Sequence, residues 1–302
     1  MPNFDDLISS QPAPQGDEAF NKEAWAAKKQ QEREQVYDLI DTYARDMGST
    51  EGLNFVNAFQ TYLDVQARFD RYSVSNAILI AAQMPEATRL ADFDTWKASG
   101  VYVKRGAEAV TILEPGKEYK RQEDGSTGVF YNPKKVFDIS QTSSRQQTVF
   151  PVVRDERLLL KALMNNAPRR FAISNELPEG VNVAYYDQDN TIRVRQGLDA
   201  PTIFRELAQE LAYVHMTKGS YQFANPSFAM YSVSYMLCKR NGISVEHFSF
   251  AEMPDEYYQM DSKAIRAEVG TIRDVAGEII ADMNQLFAAQ EKAQKNRDSE
   301  AR

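Results

Sequence analysis

Helical periodicity dominates the first eighty residues of the chain. From Glu18 to about Met47, charges of both signs alternate around a sparse apolar stripe, which predicts one exposed helix. An apolar repeat at helical spacing predicts a second helix over Leu53–Phe69. Ser73 is placed to cap a third helix that ends near Met84, just ahead of a proline. The first part of the chain is therefore predicted to be helical.

The period of the pattern shortens after the third helix. The stretch VYVKRGAEAVTILEP alternates like two short strands around a turn at Gly106. The letters EDGST indicate another turn, and GVFYNPKKVFDI alternates again. A polar, aperiodic stretch follows, and we interpret its later part, 146–156, as a linker. This region predicts a small antiparallel sheet.

The second half of the chain returns to helices and adds one hairpin. The letters VNVAYYDQDNTIRVRQGL predict two alternating strands around DQDN. Helices are predicted over Arg157–Asn165, 202–216, Pro226–Lys239 and Asp261–Ala289. The predicted class is thus α+β. The predicted organisation is a tail at 1–16, a helical domain with a small antiparallel sheet at 17–145, a linker at 146–156, a second α+β domain at 157–290 and a charged tail at 291–302.

Composition limits the class of protein. The 302 residues are 43% hydrophobic and 26% charged, as expected for a soluble globular protein. The sequence has no apolar run of the roughly 18–20 residues that a membrane helix requires, and no secretory signal pattern. Cys238 is the only cysteine, which excludes an internal disulfide and fits a reducing cytosol. We therefore expect a cytoplasmic protein that does not bind a membrane.

Positive charge is concentrated in one stretch of an acidic chain. The formal net charge is −8, yet residues 97–135 contain eight Lys or Arg against five Asp or Glu. Aromatic side chains interleave with these cations: Trp96, Tyr102, Tyr119, Phe130 and Tyr131. Single-stranded nucleic acids are held by cations that follow the phosphates and by aromatic faces that stack on the bases. The alternative is that Trp96 and Phe137 are core residues and that the lysines are solvated strand edges.

Several ordered motifs carry a family resemblance over roughly residues 20–145. The segments YSVSNAILI, FDTWKASGVYVKRGAEAVTILEP and YNPKKVFDISQT resemble the N-terminal single-stranded-DNA-binding domain of the antirestriction protein ArdC family. The resemblance implies a protein of plasmids, conjugative elements or phages that binds incoming single-stranded DNA. It implies DNA contacts at the positions that match the motifs: Tyr72, Ser73, Asn76, Trp96, Lys97, Lys104 and Arg105.

Charge and position add further candidates for DNA contacts. Arg68 and Arg71 lie beside the predicted start of the third helix, where backbone N–H groups can also bind a phosphate. The remaining candidates belong to the basic stretch: Tyr102, Lys134 and Lys135.

Members of this family carry a C-terminal metallopeptidase-like domain, and residues 150–290 follow its outline. Its active-site helix is expected to contain His-Glu-x-x-His, in which two histidines bind Zn²⁺ and the glutamate acts as general base. The corresponding residues are Gln209, Glu210, Leu211, Ala212 and Tyr213, and a shift by four residues places Arg205 and Gln209 at the ligand positions. Only the remnant carboxylates Glu206 and Glu210 are kept.

The other ligand positions fail as well. The segment 221–238, where a third ligand is expected, contains no Glu, Asp or His. His215 is two residues beyond Tyr213 and so points about 200° away around the helix. We therefore expect neither metal nor cofactor, and a catalytically inactive domain. Glu206, Glu210 and Tyr213 form a polar row that is either hydrogen-bonded or part of a remnant cleft with Tyr185, Tyr231 and Tyr235.

Three hypotheses from different classes follow. The first is a single-stranded-DNA-binding, antirestriction-type protein with an inactive metallopeptidase-like half, which could also contact host defence or mobile-element proteins. The second is a DNA-associated metalloprotease with atypical ligands. The third is an acidic interaction module that mimics DNA. Metal analysis separates the second from the first, and the salt dependence of binding separates the first from the third.

Overall fold

The computed structural model describes residues 22–49, 55–120, 125–145, 150–219 and 221–300. The predicted tail at 1–16 and part of the predicted linker lie outside them. Nine helices occur in this part of the chain: α1 Lys22–Met47, α2 Phe55–Arg68, α3 Val74–Gln83, α4 Phe93–Ala98, α5 Glu156–Leu163, α6 Ala200–Lys218, α7 Pro226–Asn241, α8 Asp255–Tyr258 and α9 Ser262–Glu300. Six strands accompany them: β1 Leu90–Ala91, β2 Val110–Lys120, β3 Thr127–Asp138, β4 Arg170–Ile173, β5 Val183–Tyr186 and β6 Thr191–Val194.

The strands form two separate three-stranded sheets. In the first, the order is β1-β3-β2, and both pairs are antiparallel. The β2–β3 hairpin is long, and its register is irregular between Pro115 and Glu118. In the second, the order is β4-β6-β5, with β4 parallel and β5 antiparallel to β6. Helices and small sheets together confirm the predicted α+β class.

One continuous hydrophobic core joins the two halves of the chain. Helix α2 packs against α7, and α1 and α3 pack against α9. The Phe59 ring on α2 lies 5.3 Å from that of Phe228 and 6.0 Å from that of Tyr257. A hydrogen bond of 2.6 Å also joins the Tyr235 hydroxyl on α7 to Asp64 on α2. The halves therefore stabilise each other, whereas their division into two domains stays a prediction.

Several helix boundaries follow the sequence, and others do not. Gly242, in the left-handed region at φ 74°, ends α7 as predicted. Helix α9 continues to Glu300 instead of ending near Ala289. The additional turns consist largely of Ala, Lys, Glu, Gln and Arg, which favour helix, and they contain neither Gly nor Pro. No described helix has both the length and the apolar content that crossing a bilayer requires.

The first half of the predicted hairpin around Gly106 does not form a strand. Only Val103 pairs, in an isolated bridge to Thr142, and β2 begins at Val110. The sequence pattern also missed β1, α4 and β4, because runs of two to six residues are too short to show a period. Segment 99–106 is instead a loop, and this loop bears the candidate interface.

Candidate nucleic-acid interface

Helix α4 anchors the candidate interface to the first sheet. Its N-cap, Asp92, accepts a hydrogen bond of 2.7 Å from the backbone N–H of Thr95. The Trp96 side chain is only 2% exposed, and its indole N–H donates to the carbonyl of Phe137 at 2.9 Å. The buried Trp96 therefore fixes α4 against β3, and the loop after α4 lies at the surface.

The loop after α4 is held by its backbone. The N–H of Lys104 donates to the carbonyl of Gln141 at 2.8 Å, and the N–H of Ser143 donates to the carbonyl of Tyr102 at 2.7 Å. We name residues 97–106, which comprise the last two residues of α4 and the loop after it, the basic loop. It is paired through Tyr102 and Lys104 with the segment that follows β3. Because main-chain groups make these bonds, the position of the loop does not depend on its side chains.

The exposed side chains of the basic loop combine cations with one aromatic ring. Tyr102 is 60% exposed, and Lys97 and Arg105 are exposed beside it in the chain. Lys104 is also exposed, and its ammonium donates to the carbonyl of Ser140 at 2.9 Å. Among the residues that the structure describes, none of these three cations lies within 4.0 Å of a carboxylate. Their charges are therefore available to a phosphate.

The structure adds one residue that the sequence did not indicate. Arg145 follows Ser143, the partner of Tyr102, by two positions and is exposed. Within the described ranges it also has no ion pair. A single arginine in a polar, aperiodic stretch gave no signal by itself. The pairing of the basic loop with 141–143 brings the chain just before Arg145 next to that loop.

A buried carboxylate fixes the end of β3 where these segments meet. Asp138 accepts backbone N–H bonds from Thr88 at 2.7 Å, Arg89 at 2.8 Å and Ser140 at 2.9 Å. Burial acts to raise the pKa of Asp138, but these N–H bonds outweigh it, so the pKa lies below its ordinary value. The side chain of Gln141 completes a capping box by accepting from the Asp138 N–H at 2.8 Å. Sequence reasoning did not single out Asp138.

Two residues carried over from the family resemblance are structural. Trp96 is buried, so its ring has no face for a base. Asn76 is buried as well: its amide donates to the carbonyl of Leu113 at 2.9 Å and accepts from the Leu113 N–H at 2.7 Å. This pair of bonds fastens α3 to β2. The expectation that Trp96 and Asn76 touch DNA is therefore corrected.

The charge of Lys134 is already neutralised. Its ammonium lies 2.9 Å from Asp92 and 2.9 Å from Glu114. The hydrogen bonds to these two carboxylates raise the pKa of Lys134 well above its ordinary value. Two carboxylates around one cation leave a negative local balance, so Lys134 is not retained as a phosphate contact. Lys135 is exposed and donates to the hydroxyl of Thr111 at 2.6 Å.

The turn between α2 and α3 holds the remaining candidates. Ser73 caps α3 as predicted, because its hydroxyl accepts from the Asn76 N–H at 3.3 Å. The Tyr72 ring packs edge-on against Phe69 with 5.3 Å between centroids. The partly buried Arg68 donates to the carbonyl of Pro85, so part of its guanidinium is already bonded, and its role as a DNA contact stays a prediction. Arg71 is exposed at this turn.

The outer half of the β2–β3 hairpin carries a second exposed aromatic group. The rings of Tyr119 and Phe130 lie 4.3 Å apart and are 37% and 48% exposed. The Tyr119 ring covers Gly128 so closely that an added Cβ would meet it at 2.5 Å. Glycine is thus required there for the ring to lie flat on the sheet. Tyr131 is exposed on the same strand.

The remnant carboxylates of α6 are occupied by the second sheet. Glu210 accepts from the backbone N–H of Tyr185 on β5 at 2.9 Å, and Glu206 accepts from the amide of Asn182 at 2.9 Å. Strand β5 lies at the edge of its sheet, so this row covers an otherwise unpaired edge. Burial raises the pKa of Glu210 above its ordinary value, while the bond from Tyr185 opposes the shift.

The residues of α6 do not fit a divalent metal. The ligand positions are occupied by Gln209 and Tyr213, whose neutral side chains are poor zinc ligands. The buried His215 is bonded elsewhere, with Nδ1 2.8 Å from a carboxylate oxygen of Glu278. In the ranges that the structure describes, no three His, Cys, Asp or Glu side chains are placed to bind one ion.

The cleft of four tyrosines is only half present. Tyr185 and Tyr213 are neighbours, with ring centroids 6.1 Å apart. Tyr235, however, is fully buried against α2, and the hydroxyl of Tyr231 accepts from the Ser249 N–H at 2.6 Å. Tyr235 cannot line a surface cleft, so that interpretation is wrong.

Comparison with known proteins gives one decisive match. Residues 25–155 match the family model of the N-terminal domain of anti-restriction factor ArdC. The match covers less than half of the chain, and over these residues the chain is similar to the ArdC N-terminal domain. An uncharacterized Bacillus anthracis protein is 29% identical over 97 residues, which are 32% of this chain and 16% of that protein.

Two crystal structures of the antirestriction ArdC protein from plasmid R388 are also similar. The metal-free structure has 15% identity and a TM-score of 0.41, covering 72% of this chain and 84% of that one. The Mn(II)-bound structure has 13% identity and a TM-score of 0.48, covering 84% and 97%. The ArdC family match contains the whole basic loop and Arg145, whereas α6 lies beyond its end at residue 155.

Proposed function

We propose that this chain binds single-stranded DNA through the basic loop. The observation that carries the proposal is the exposed Tyr102, whose carbonyl pairs with the N–H of Ser143. Lys97, Arg105 and Arg145 are exposed in the two paired segments or next to them, and they have no ion pairs in the described part of the chain. This arrangement lies within the ArdC-type domain. Cations contact the phosphates, and a tyrosine face stacks on an unpaired base at about 1–3 kcal/mol per base. Duplex bases are already stacked, so single strands are preferred.

The wider role that we propose is that of an antirestriction-type protein of a mobile genetic element, acting in the cytoplasm on incoming strands. Support comes from the family match, whose description names an anti-restriction factor. We also propose that the α6 region is catalytically inactive. Support for this comes from Glu206 and Glu210, which hold β5 and Asn182 instead of facing an open site.

The test uses the whole chain, because the shared core makes fragments unsuitable. Labelled oligo-thymidine and a duplex of equal length are titrated at several salt concentrations. Single strands are expected to bind more tightly, with log affinity falling by about 0.7 per log unit of salt for each phosphate neutralised. A chain with Lys97→Gln, Arg105→Gln and Arg145→Gln is expected to lose about 2 from that slope if all three contact phosphates.

The matched control removes three exposed cations elsewhere. Arg157→Gln, Lys161→Gln and Arg170→Gln change the net charge equally but lie in the second half of the chain. This control is expected to keep nearly full affinity. Equal losses in both triple variants, or equal binding of duplex and single strand, would contradict the proposal. Binding to a nuclease in place of DNA would favour the DNA-mimic hypothesis.

A further inference from the structure

A pocket of about 190 Å³ lies between the two halves of the chain. It is formed by the end of α2 and the turn after it, by the segment 150–154, by the end of α7 and by α9. Three arginines line it: Arg68, Arg154 and Arg240. Most of the other lining residues are apolar: Phe150, Val152, Ile280, Met283 and Phe287. The pocket therefore combines several guanidinium groups with apolar surface.

The pocket has more positive than negative charge. Asp70 is the only carboxylate among the described residues that line it, and it lies 3.1 Å from Arg240. Three guanidinium groups and one carboxylate leave a formal balance of two positive charges. Burial lowers the pKa values of Arg68 and Arg240, and the nearby positive charges of Arg154 and Arg71 lower that of Arg240 further. Asp70 opposes the shift at Arg240, and Asp64, Glu86 and Asp138, which do not line the pocket, oppose it at Arg68. The positive excess therefore concerns the residues that line the pocket.

One guanidinium donor of the pocket is buried without an acceptor, and a second guanidinium has none among the described residues. The Nε of Arg68 is buried without a hydrogen-bond partner among the described residues. Arg154 lies over the Phe287 ring at 4.2 Å, and no hydrogen bond or ion pair of its guanidinium occurs in the described part of the chain. Arg240 is partly satisfied, because one nitrogen bonds the carbonyl of Ala67 at 3.1 Å and another lies 3.1 Å from Asp70. Buried donors without acceptors are rare in folded proteins, and an anion would satisfy them.

We propose that this pocket binds a phosphate group carrying two negative charges, either as inorganic phosphate or as a phosphate monoester. Two charges match the formal excess, and a planar guanidinium binds phosphate oxygens in pairs. The volume is below the roughly 300–1,000 Å³ of pockets that hold drug-sized ligands, which favours a small anion. The apolar lining residues reduce the contact of the cations with water, which strengthens the attraction. The proposal does not depend on DNA binding by the basic loop.

The test titrates inorganic phosphate into the full-length chain by calorimetry, with sodium chloride at matched ionic strength as reference. Saturable binding at millimolar concentrations and a rise in the melting temperature are expected, because a ligand that binds only the folded state stabilises it. Arg154→Gln is expected to weaken phosphate binding about tenfold or more, because it removes a charged hydrogen-bond donor. Arg154→Lys keeps the charge but not the planar guanidinium. Its phosphate affinity is expected to lie between those of wild type and Arg154→Gln.

Arg157→Gln is the matched control, since it removes an exposed arginine three residues away on α5. It is expected to leave phosphate binding unchanged. Absence of saturable binding, or equal affinity in wild type and Arg154→Gln, would overturn the proposal. Oligonucleotides with a 5′-phosphate or a 5′-hydroxyl separate the two sources. Displacement of phosphate only by the phosphorylated strand assigns the pocket to strand ends, and no displacement by either assigns it to small phosphates.

Discussion

The basic loop and helix α6 treat their polar side chains in opposite ways. In the basic loop, backbone bonds to Gln141 and Ser143 hold the chain in place, and the cations and Tyr102 remain exposed. In α6, the side chains themselves do the holding, because Glu206 and Glu210 bond to the edge of the second sheet. Both regions are indicated by sequence motifs. Their hydrogen bonds distinguish side chains that are available to a ligand from side chains that are not.

The same contrast occurs between two lysines of the N-terminal region. Lys134 lies between Asp92 and Glu114, whereas Lys97 has no carboxylate within 4.0 Å among the described residues. A count of positive charges along the sequence gives both residues equal weight. The structure gives them different weight, because Lys134 on β3 is ion-paired and Lys97 is not. The candidate interface is therefore assigned to the basic loop and not to the strand. Substitutions can test each side of this comparison.

The largest effect is expected from Trp96→Ala, which removes the anchor of the basic loop. Loss of a buried indole and of its hydrogen bond to Phe137 is expected to cost about 3–5 kcal/mol of unfolding free energy. Urea denaturation measures this cost. If the unfolding free energy stayed within about 1 kcal/mol of wild type while DNA binding disappeared, Trp96 would be a contact residue and the comparison would fail.

The next effect is expected from Asp138→Ala. Three backbone N–H groups lose their acceptor, at a cost of about 3 kcal/mol at neutral pH. Since folding lowers the pKa of Asp138, its contribution is complete above the unfolded pKa of about 3.9 and is lost as the pH falls through the folded value. The difference between wild type and variant should therefore shrink below about pH 4. Urea denaturation at neutral and acid pH measures it, with the exposed Asp94→Ala as control.

A smaller effect is expected from Tyr102→Ala, which tests whether the exposed ring of the basic loop stacks on a base. It is expected to cost about 1–3 kcal/mol of single-strand binding free energy and to leave stability nearly unchanged, because the ring is 60% exposed. Tyr37→Ala, on the exposed face of α1, is the control and is expected to bind normally. Fluorescence anisotropy with oligo-thymidine reports the affinities. Normal binding by Tyr102→Ala would move the stacking role to Tyr119 and Phe130.

The sequence predicted most long elements and few of the decisive contacts. The repeats that mark α1, α2 and α7 extend over several turns, so their existence was predictable. The role of Asn76 depends on Leu113, a partner 37 residues away, and that of Arg145 depends on how the basic loop pairs. Such contacts are set by tertiary packing, which one sequence does not display. The absence of metal ligands at the expected positions of α6, in contrast, depends only on which side chains stand there, so it could be predicted from the sequence.

The smallest effect is expected from Glu210→Gln, which tests the α6 side of the comparison. Glutamine keeps an acceptor for the Tyr185 N–H but removes the charge that burial disfavours. Because folding raises the pKa of Glu210, the wild-type side chain is most stabilising below its unfolded pKa of about 4.3, and it loses stability as the pH rises through the folded value. The variant should therefore equal wild type near pH 4 and match or exceed it at pH 7, by under about 1 kcal/mol. Urea denaturation at both pH values measures this, and the exposed Glu246→Gln should show no trend.

The DNA affinity of Glu210→Gln should equal that of wild type, since Glu210 holds a strand edge and faces no ligand. A metal-dependent peptidase activity that Glu210→Gln abolished would restore the catalytic interpretation of α6.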